Sequence, residues 1–374
     1  MGKTWSDRGK KGRMEPWWVA IGEDLWYNRG KNGRFDRGRE SIMYEIRILT
    51  DMETAFDFYH TYSVALPDGG KETDGYPPAL GLMPVSRGTV DDWFGGEDRI
   101  TFGAYEGDRL VGMASGNIAP ARKAGYLSYL CVVPDRRHRG IATALCDRLE
   151  EALAADPVVE KLEAVFYNPV QLPWYIPHGN GDYHPCLPGV DKSSGLYLFL
   201  KNRNWRDFAT QNCYYRRMAD YADKPGIAAT RERLLSEGIE LTLYDPAKHH
   251  GLPELFDNIN NPGWKAHVLA RLDLPIVVAV DLNADGLVVG YTGPLSVVGS
   301  PGRGNFCGIG VRTEYRGRGI GKPVFCEMCA RHRDGGADFM SLYTGEDNPA
   351  RNIYESAGFR IARSFADMRK VLKK

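Results

Sequence analysis

The chain has 374 residues, enough for two domains with separate cores, and its 48 basic and 48 acidic side chains cancel to a formal charge of zero. That balance argues against nucleic acid or a membrane surface as the partner, and no apolar run reaches the length of a membrane span. Seven cysteines, at 131, 146, 186, 213, 307, 326 and 329, form an odd and unpatterned set. Such a set predicts reduced thiols in a cytoplasmic protein rather than a disulfide framework. Cys326 and Cys329 lie three apart on a predicted helix, where packing explains them better than a redox or zinc pair, and no metal site is expected.

Residues 1–42 are rich in Gly, Arg and Lys, carry Trp5, Trp17, Trp18 and Trp26, and keep no period. They are expected to form a disordered extension, with translation starting at Met14 or Met43 as one possibility and a basic-aromatic arm as the other. From Tyr44 the elements follow in order. Tyr44 to Leu49 alternates as a strand, and Thr50 or Asp51 caps a helix running through Tyr62. A Gly/Pro loop occupies 67–84. A hairpin joins Ile100–Tyr105 to Leu110–Ile118, and Tyr126–Val133 is the next strand. A helix then runs from Gly140 to Ala154 with Leu145, Leu149 and Leu153 on one face. After a strand at Leu162–Tyr167 comes a proline-rich insertion, 169–192, read as a substrate wall or an interface. A helix at Ser194–Asn202 and a strand at Cys213–Met218 close this half.

A linker helix is expected within 219–238. The second half repeats the order: a strand at Ile239–Tyr244, helices over Pro253–Leu272 broken at Pro262, and a hairpin of Pro275–Val280 with Leu287–Val298. The hairpin tip, Asp281 to Gly286, begins like a calcium loop but offers Thr292 where a bidentate Glu is required, so it reads as a turn. A helix follows at Gly319–Arg333, then a strand at Ala337–Tyr343, a helix at Pro349–Ala357 and a strand at Phe359–Met368. Domain boundaries of 43–218, 219–238 and 239–374 follow from this order.

Two stretches carry the functional signal. Val311-Arg312-Thr313-Glu314-Tyr315-Arg316-Gly317-Arg318-Gly319-Ile320-Gly321-Lys322 stands between a strand and a helix, and so does Val132-Val133-Pro134-Asp135-Arg136-Arg137-His138-Arg139-Gly140-Ile141-Ala142. Val132 matches Val311, Arg137 matches Arg316, Gly140 matches Gly319 and Ala142 matches Gly321, at a constant offset of 179 residues. A strand feeding a glycine-rich turn that opens a helix gathers free N–H groups and the positive end of the helix dipole on one point, a cradle for phosphate. No ribose-binding acid follows in a βαβ unit, and no Ser or Thr follows Lys322. The dinucleotide fingerprint and the P-loop are therefore both excluded.

The pattern Val-x-x-x-x-Arg-x-x-Gly-x-Gly, in this order of elements, resembles the pyrophosphate loop of the GNAT acetyltransferases, and the resemblance covers nearly all of residues 44–374. It implies two tandem α/β domains, each a mostly antiparallel mixed sheet flanked by helices, with a splayed parallel strand pair where acetyl-CoA lies. It further implies that Arg316, Gly317, Arg318, Gly319, Ile320, Gly321 and Lys322 hold the pyrophosphate in the second half. Arg137, His138, Arg139, Gly140, Ile141 and Ala142 would do so in the first. Ile309 and Val311, and likewise Leu130 and Val132, would offer backbone groups to the pantetheine arm.

Asn348-Pro349-Ala350-Arg351-Asn352-Ile353-Tyr354-Glu355-Ser356-Ala357-Gly358-Phe359 is very similar to the family segment whose tyrosine protonates the leaving thiolate and whose asparagine meets the pantetheine. By that likeness Tyr354 is the general acid and Asn348 a cofactor contact. A phenol suits the task, holding its proton at neutral pH. In the first half Trp205 aligns with Phe359, Asn204 with Gly358 and Leu200 with Tyr354, so the first half is expected to have lost the acid. The base is less legible. Glu346 is the preferred carboxylate beside the acetyl position, with Asp347 and Glu314 as others, while His178, His184, His249, His250 and His267 read as surface or packing residues.

The expectation is an N-acetyltransferase, catalytic in its C-terminal half, acting on a small or peptide-like amine. Tandem members of the family include mycothiol synthase and enzymes that inactivate amine-bearing antibiotics. The alternatives are two active halves, a thiol-precursor acetyltransferase, or an acyl-CoA sensor without turnover; a monomer and a dimer both remain open.

Overall fold

The computed structural model describes residues 44–65, 81–165 and 168–372. The expectations for 1–42, most of the 67–84 loop and the strand end at Tyr167 lie outside the described residues. The chain divides into two compact units, one of residues 1–62, 85–162 and 371–374 and the other of 63–84 and 163–370.

The first unit contains β1 (Glu45–Ile48), α1 (Met52–Tyr62), α2 (Arg87–Phe94), β2 (Arg99–Glu106), β3 (Arg109–Ala119), β4 (Ala124–Val132) and α3 (Ile141–Ala154). Strands β1 to β4 form an antiparallel meander in chain order. Helix α1 starts where expected, because Asp51 accepts the Glu53 N–H at 3.0 Å. Helix α2 is an addition to the sequence reading. Ser86 caps it by accepting the Thr89 N–H at 3.2 Å, and its apolar face buries Val90, Trp93 and Phe94. Along α3 the row Leu145, Leu149 and Leu153 is buried, together with Ile141 at its start.

In chain order there follow β5 (Lys161–Ala164), β6 (Trp174–Tyr175), β7 (Tyr183–His184), β8 (Val190–Asp191), α4 (Gly195–Asn202), β9 (Arg206–Arg217), α5 (Ile227–Ser236) and β10 (Ile239–Leu243). Next come α6 (Leu252–Asn258), α7 (Pro262–Leu269), β11 (Val277–Asp281), β12 (Leu287–Thr292), β13 (Val297–Val298), β14 (Arg303–Gly304) and β15 (Ile309–Val311). Helix α8 (Gly321–Asp334), β16 (Phe339–Gly345), α9 (Arg351–Ser356) and β17 (Arg360–Val371) complete the chain. Pro262 opens α7, where its missing N–H costs nothing. The second strand of the predicted hairpin is shorter than expected. It leaves the ladder after Thr292, since Pro294 has no N–H to donate and Gly293 takes φ +122°.

Two ladders organise the second unit. One runs β10-β11-β12-β15, antiparallel throughout. The other contains β17-β9-β16-β14-β13, with β8 on β17. Strand β9 begins seven residues earlier than the expected Cys213 and pairs antiparallel with β16 on one side and β17 on the other. Its polar residues hid it. Asn212 accepts the Ser364 hydroxyl at 2.6 Å and Gln211 donates to Asp367 at 3.0 Å, so polar side chains on β9 are satisfied from β17.

The apolar core of this unit lies on two sides of the β10–β15 ladder. Ile320, Val324, Phe325, Met328, Tyr354 and Phe359 pack with Val277 and Val289 on one side. Leu252, Leu255, Phe256 and Val268 pack with Val278, Val288 and Tyr291 on the other. Cys326 and Cys329 are buried in the first cluster, and burial raises both thiols above their ordinary range.

Candidate acyl-transfer site

Strand β14 runs parallel to β16, with Arg303 opposite Phe339 and Gly304 opposite Met340. The chain then leaves β16, and β15 pairs with β12 instead, Ile309 opposite Thr292 and Val311 opposite Gly290. A fork therefore opens after Gly304. Gly308, with φ +137°, makes the departure possible, and a Cβ there would stand 2.6 Å from the Trp264 ring. The far edge of β15, where Ile309 and Val311 were expected to meet an extended ligand, is hydrogen-bonded to no strand among the described residues.

The loop after β15 is anchored tightly. The Arg312 guanidinium is buried and donates to the carbonyls of Val288 and Gly251, both at 2.8 Å. Asn258 accepts the Thr313 N–H at 2.9 Å, and the Tyr315 hydroxyl donates to Asp281 at 2.8 Å. A short 3-10 turn at Thr313–Tyr315 leads to extended Arg316, then to Gly317 and Gly319 at φ +81° and +82°. Glu314 is committed to this anchoring, accepting from Asn258 at 3.0 Å. Its own backbone N–H and these partners hold its carboxyl below the usual range, which suits it poorly as a base.

The first unit repeats the conformation. A 3-10 turn at Pro134–Arg136 precedes extended Arg137, and His138 and Gly140 take φ +60° and +87° at the positions of Gly317 and Gly319. Arg137 donates from Nε to the Val132 carbonyl at 3.0 Å, as Arg316 does to Val311 at 3.3 Å. Ile141 and Ile320 are both buried behind their loops. Neither following helix is capped by a side chain. From Gly319 to Lys322 the N–H groups have no backbone acceptor among the described residues. The concavity at this loop, about 320 Å³, is lined by Val311, Tyr315, Arg316, Gly317, Gly319, Ile320, Gly321 and Lys322. Uncommitted amides, a helix N-terminus, exposed cations and no carboxylate in the lining fit a diphosphate.

Tyr354, on α9, is buried with its ring centroid 5.8 Å from that of Phe306 at the fork, 5.0 Å from Phe325 and 5.9 Å from Tyr214. Burial, then the Tyr214 phenol, pushes its hydroxyl well above the ordinary tyrosine value. Asn348, just before α9, spends its side-chain oxygen on the Ala350 N–H at 2.9 Å. Glu346 lies exposed past the end of β16, tied by its backbone to Thr210 and Arg351.

In α4 the Trp205 N–H donates to Leu200 as the Phe359 N–H donates to Tyr354, and Asn204 shares the positive φ of Gly358. Tyr197 points elsewhere, donating to Asp207 at 2.7 Å.

Sequence reasoning gave no site role to several residues at the fork, His267 among them, which it read as a surface or packing residue. His267, on α7, approaches the Cys307 sulfur at 3.3 Å, and Trp264 packs under Gly308. The missed signal was alternation. Arg303, Asn305 and Cys307 are the polar positions of a short strand-like run whose other residues are Gly and Phe. Of the remaining histidines, His184 is buried, with its Nδ1 at 3.1 Å from the Cys186 carbonyl, His249 accepts the Asp245 N–H, and His250 meets the Ala284 carbonyl.

Forked sheet, paired loops and buried tyrosine together define a tandem acyl-transfer fold. The profile of the Acetyltransferase (GNAT) family matches residues 71–175 and again 243–359, and the chain belongs to that family. The mycothiol acetyltransferase of Corynebacterium glutamicum (strain R) is 30% identical over 155 residues, 39% of this chain and 51% of that protein. That of Corynebacterium aurimucosum is 41% identical over 64 residues, 17% of this chain and 21% of that protein. The chain thus spans about half, or less, of the length of these curated relatives. Among solved structures, a GCN5-related N-acetyltransferase from Sphaerobacter thermophilus aligns with a TM-score of 0.55 at 15% identity, over 88% of this chain and 96% of that one. A tandem GNAT protein from the clavulanic acid biosynthesis pathway aligns with a TM-score of 0.51 at 18% identity, over 88% and 99%. At such identities the likeness concerns the fold.

Proposed function

We propose that the second repeat, residues 239–374, transfers an acetyl group from acetyl-CoA to the primary amine of a small molecule or peptide-like metabolite. The observation that carries this reading is the position of Tyr354, buried beside the fork on the segment that follows the loop, helix and strand. Acetyl-CoA, which the family generally uses, supplies the acyl group as an activated thioester. The amides from Gly319 to Lys322, with Arg316 and Lys322, would hold its diphosphate, and the open edge at Ile309 and Val311 would bind its arm. The amine nitrogen forms a bond to the acyl carbon as the carbon–sulfur bond breaks. Tyr354 gives its phenolic proton to the departing sulfur, and the proton lost by the amine leaves through solvent, with Glu346 as the candidate carboxylate on its path. The raised affinity of the phenol for its proton keeps the acid loaded at neutral pH.

The first repeat, residues 43–218, reads as a binding half without turnover. Its loop, with Leu130 and Val132 before it, has the same backbone shape, but Leu200 stands where an acid would be. The likeness to mycothiol acetyltransferases favours, as a second reading, an acceptor that is a thiol precursor. Seven free cysteines suit a cytoplasmic setting, and no helix among the described residues is long and apolar enough to cross a membrane. Release of CoA thiol from acetyl-CoA with a panel of amines tests the reading. Tight CoA binding without thiol release for any amine would replace it with an acyl-CoA sensor.

A further inference from the structure

Among the described residues, Arg303 is a buried cation without a counterion. The residue is 8% exposed, and its Nε is buried with no hydrogen-bond partner. Its one side-chain bond among the described residues runs from Nη2 to the amide oxygen of Asn305, at 3.2 Å. Among the described residues no carboxylate comes within ion-pair distance of it. The titratable groups that feel its charge are His184, His332, Cys186 and Cys307. None of them can supply a negative charge cheaply. Burial first, and Arg303 with it, disfavours the charged form of both histidines, while burial holds both thiols protonated. Cys307 also feels Arg271. A guanidinium removed from water and left unpaired is costly, and proteins retain one where an anion completes it.

The direction of the side chain follows from strand alternation. A Cβ on Gly304 would meet Met340 and His332 of α8, so Gly304 faces α8. Phe306 faces the same way, with its ring against Phe325 and Tyr354. Within β14 Arg303 belongs to the opposite face, and Asn305 and Cys307 continue from it beyond the strand. They are linked in a row, from Arg303 to Asn305 to the Cys307 sulfur at 3.3 Å, and the row ends at His267 of α7. This polar row therefore lines the side of the fork away from Tyr354.

We propose that Arg303 anchors a carboxylate of the acceptor, so that the amine accepted at this fork belongs to an amino-acid-like molecule carrying a single negative charge. This rests on the acyl-transfer reading for its substrate. A planar guanidinium whose Nε and Nη1 make no bond among the described residues matches the two oxygens of a carboxylate, and one buried cation balances a monoanion.

The experiment compares N-acetyl-L-amino acids, as product analogues, with their uncharged α-amides. Binding to the full chain and to Arg303→Met is measured by titration calorimetry, alongside CoA release from acetyl-CoA with the matching free amino acids and amino acid amides. In the wild type the acids bind at least about tenfold more tightly than the amides, the effect of a charge-assisted hydrogen bond. Arg303→Met removes that preference while keeping the amide affinity. Because it removes an unpaired buried charge, it melts no lower than the wild type, and Arg303→Lys retains part of the preference. Equal or undetectable binding of acids and amides, or a preference that survives Arg303→Met, overturns the proposal. Acid preference without CoA release for any amine would leave the anchor standing and remove the acyl-transfer reading. CoA release with neutral amines alone would do the reverse.

Discussion

Leu200 occupies in α4 the place that Tyr354 occupies in α9. Each carbonyl accepts the N–H five residues on, from Trp205 and Phe359 respectively, at 3.1 Å in both cases. The intervening left-handed residues are Asn204 and Gly358. One repeat presents a hydrocarbon where the other presents a proton.

Replacing Tyr354 by Phe removes that proton and little volume. The expected result is a fall in kcat of about 100- to 10,000-fold with the KM for acetyl-CoA nearly unchanged. Steady-state kinetics over pH 6–9 would also show no alkaline limb from this group in the wild type, since burial moves its ionisation above the ordinary value. Undiminished turnover in Tyr354→Phe would transfer the chemistry to the first repeat.

The loop glycines differ in what a side chain would cost. At Gly317 an added Cβ meets nothing within 4 Å, and the matching position of the first loop is held by His138 at positive φ. Gly317→Asn should therefore bind CoA nearly as the wild type does. At Gly319 a Cβ would come 3.2 Å from the Arg233 guanidinium and carry the left-handed penalty as well, about 1–2 kcal/mol. Calorimetric titration should show Gly319→Val weaker by on the order of tenfold or more. Equal affinities for the two variants would remove the loop from the diphosphate site.

Cysteine labelling should be ordered. Burial raises the thiols of Cys307, Cys213, Cys326 and Cys329 alike, but Cys307 is partly exposed beside His267, whereas the other three are buried. Under native conditions at pH 8, peptide mapping after brief alkylation should find Cys307 ahead of those three, which react at the rate of unfolding. Early labelling of Cys326 or Cys329 would contradict the packing of α8.

Acid should loosen the second unit before its carboxylates protonate. Burial pushes His184 down to about 3 and His332 down to about 4. Between the unfolded value near 6.5 and these folded values the unfolded chain binds more protons, so stability falls as pH falls. The loss by pH 5 is about 1–2 kcal/mol for each histidine. Urea unfolding at pH 7 and pH 5 measures it, and His332→Asn should flatten the slope. A midpoint independent of pH across that window would count against the buried, neutral assignment.

Much of this was written in short-range pattern. The two loops could be matched residue by residue because positive φ demands Gly, or tolerates His138, at fixed places in the turn. The Tyr354 helix was legible through Gly358 and Phe359, which end it. What could not be read depended on distant partners. Strand β9 looks too polar over Arg206–Asn212 until β17 stands beside it. Helix α2 is eight residues with Gly88 inside, short of a convincing period. The Asp281 turn was read as a turn from Thr292; the partners that hold it, the Asn283 N–H and the Tyr315 hydroxyl on its two carboxylate oxygens, were not. Arg303 gives no local sign of burial, because a charged residue's missing partner is a property of the surroundings.

Strand β9 comes from the repeat that carries Leu200 rather than a tyrosine, yet it fills the gap between β16 and β17. A fragment beginning at Ile239 would bare two raw ladder edges and strand Gln211's partner, Asp367. The sheet of the second repeat therefore depends on backbone supplied by the first. Whatever chemistry each repeat performs, the first serves as carpentry for the second.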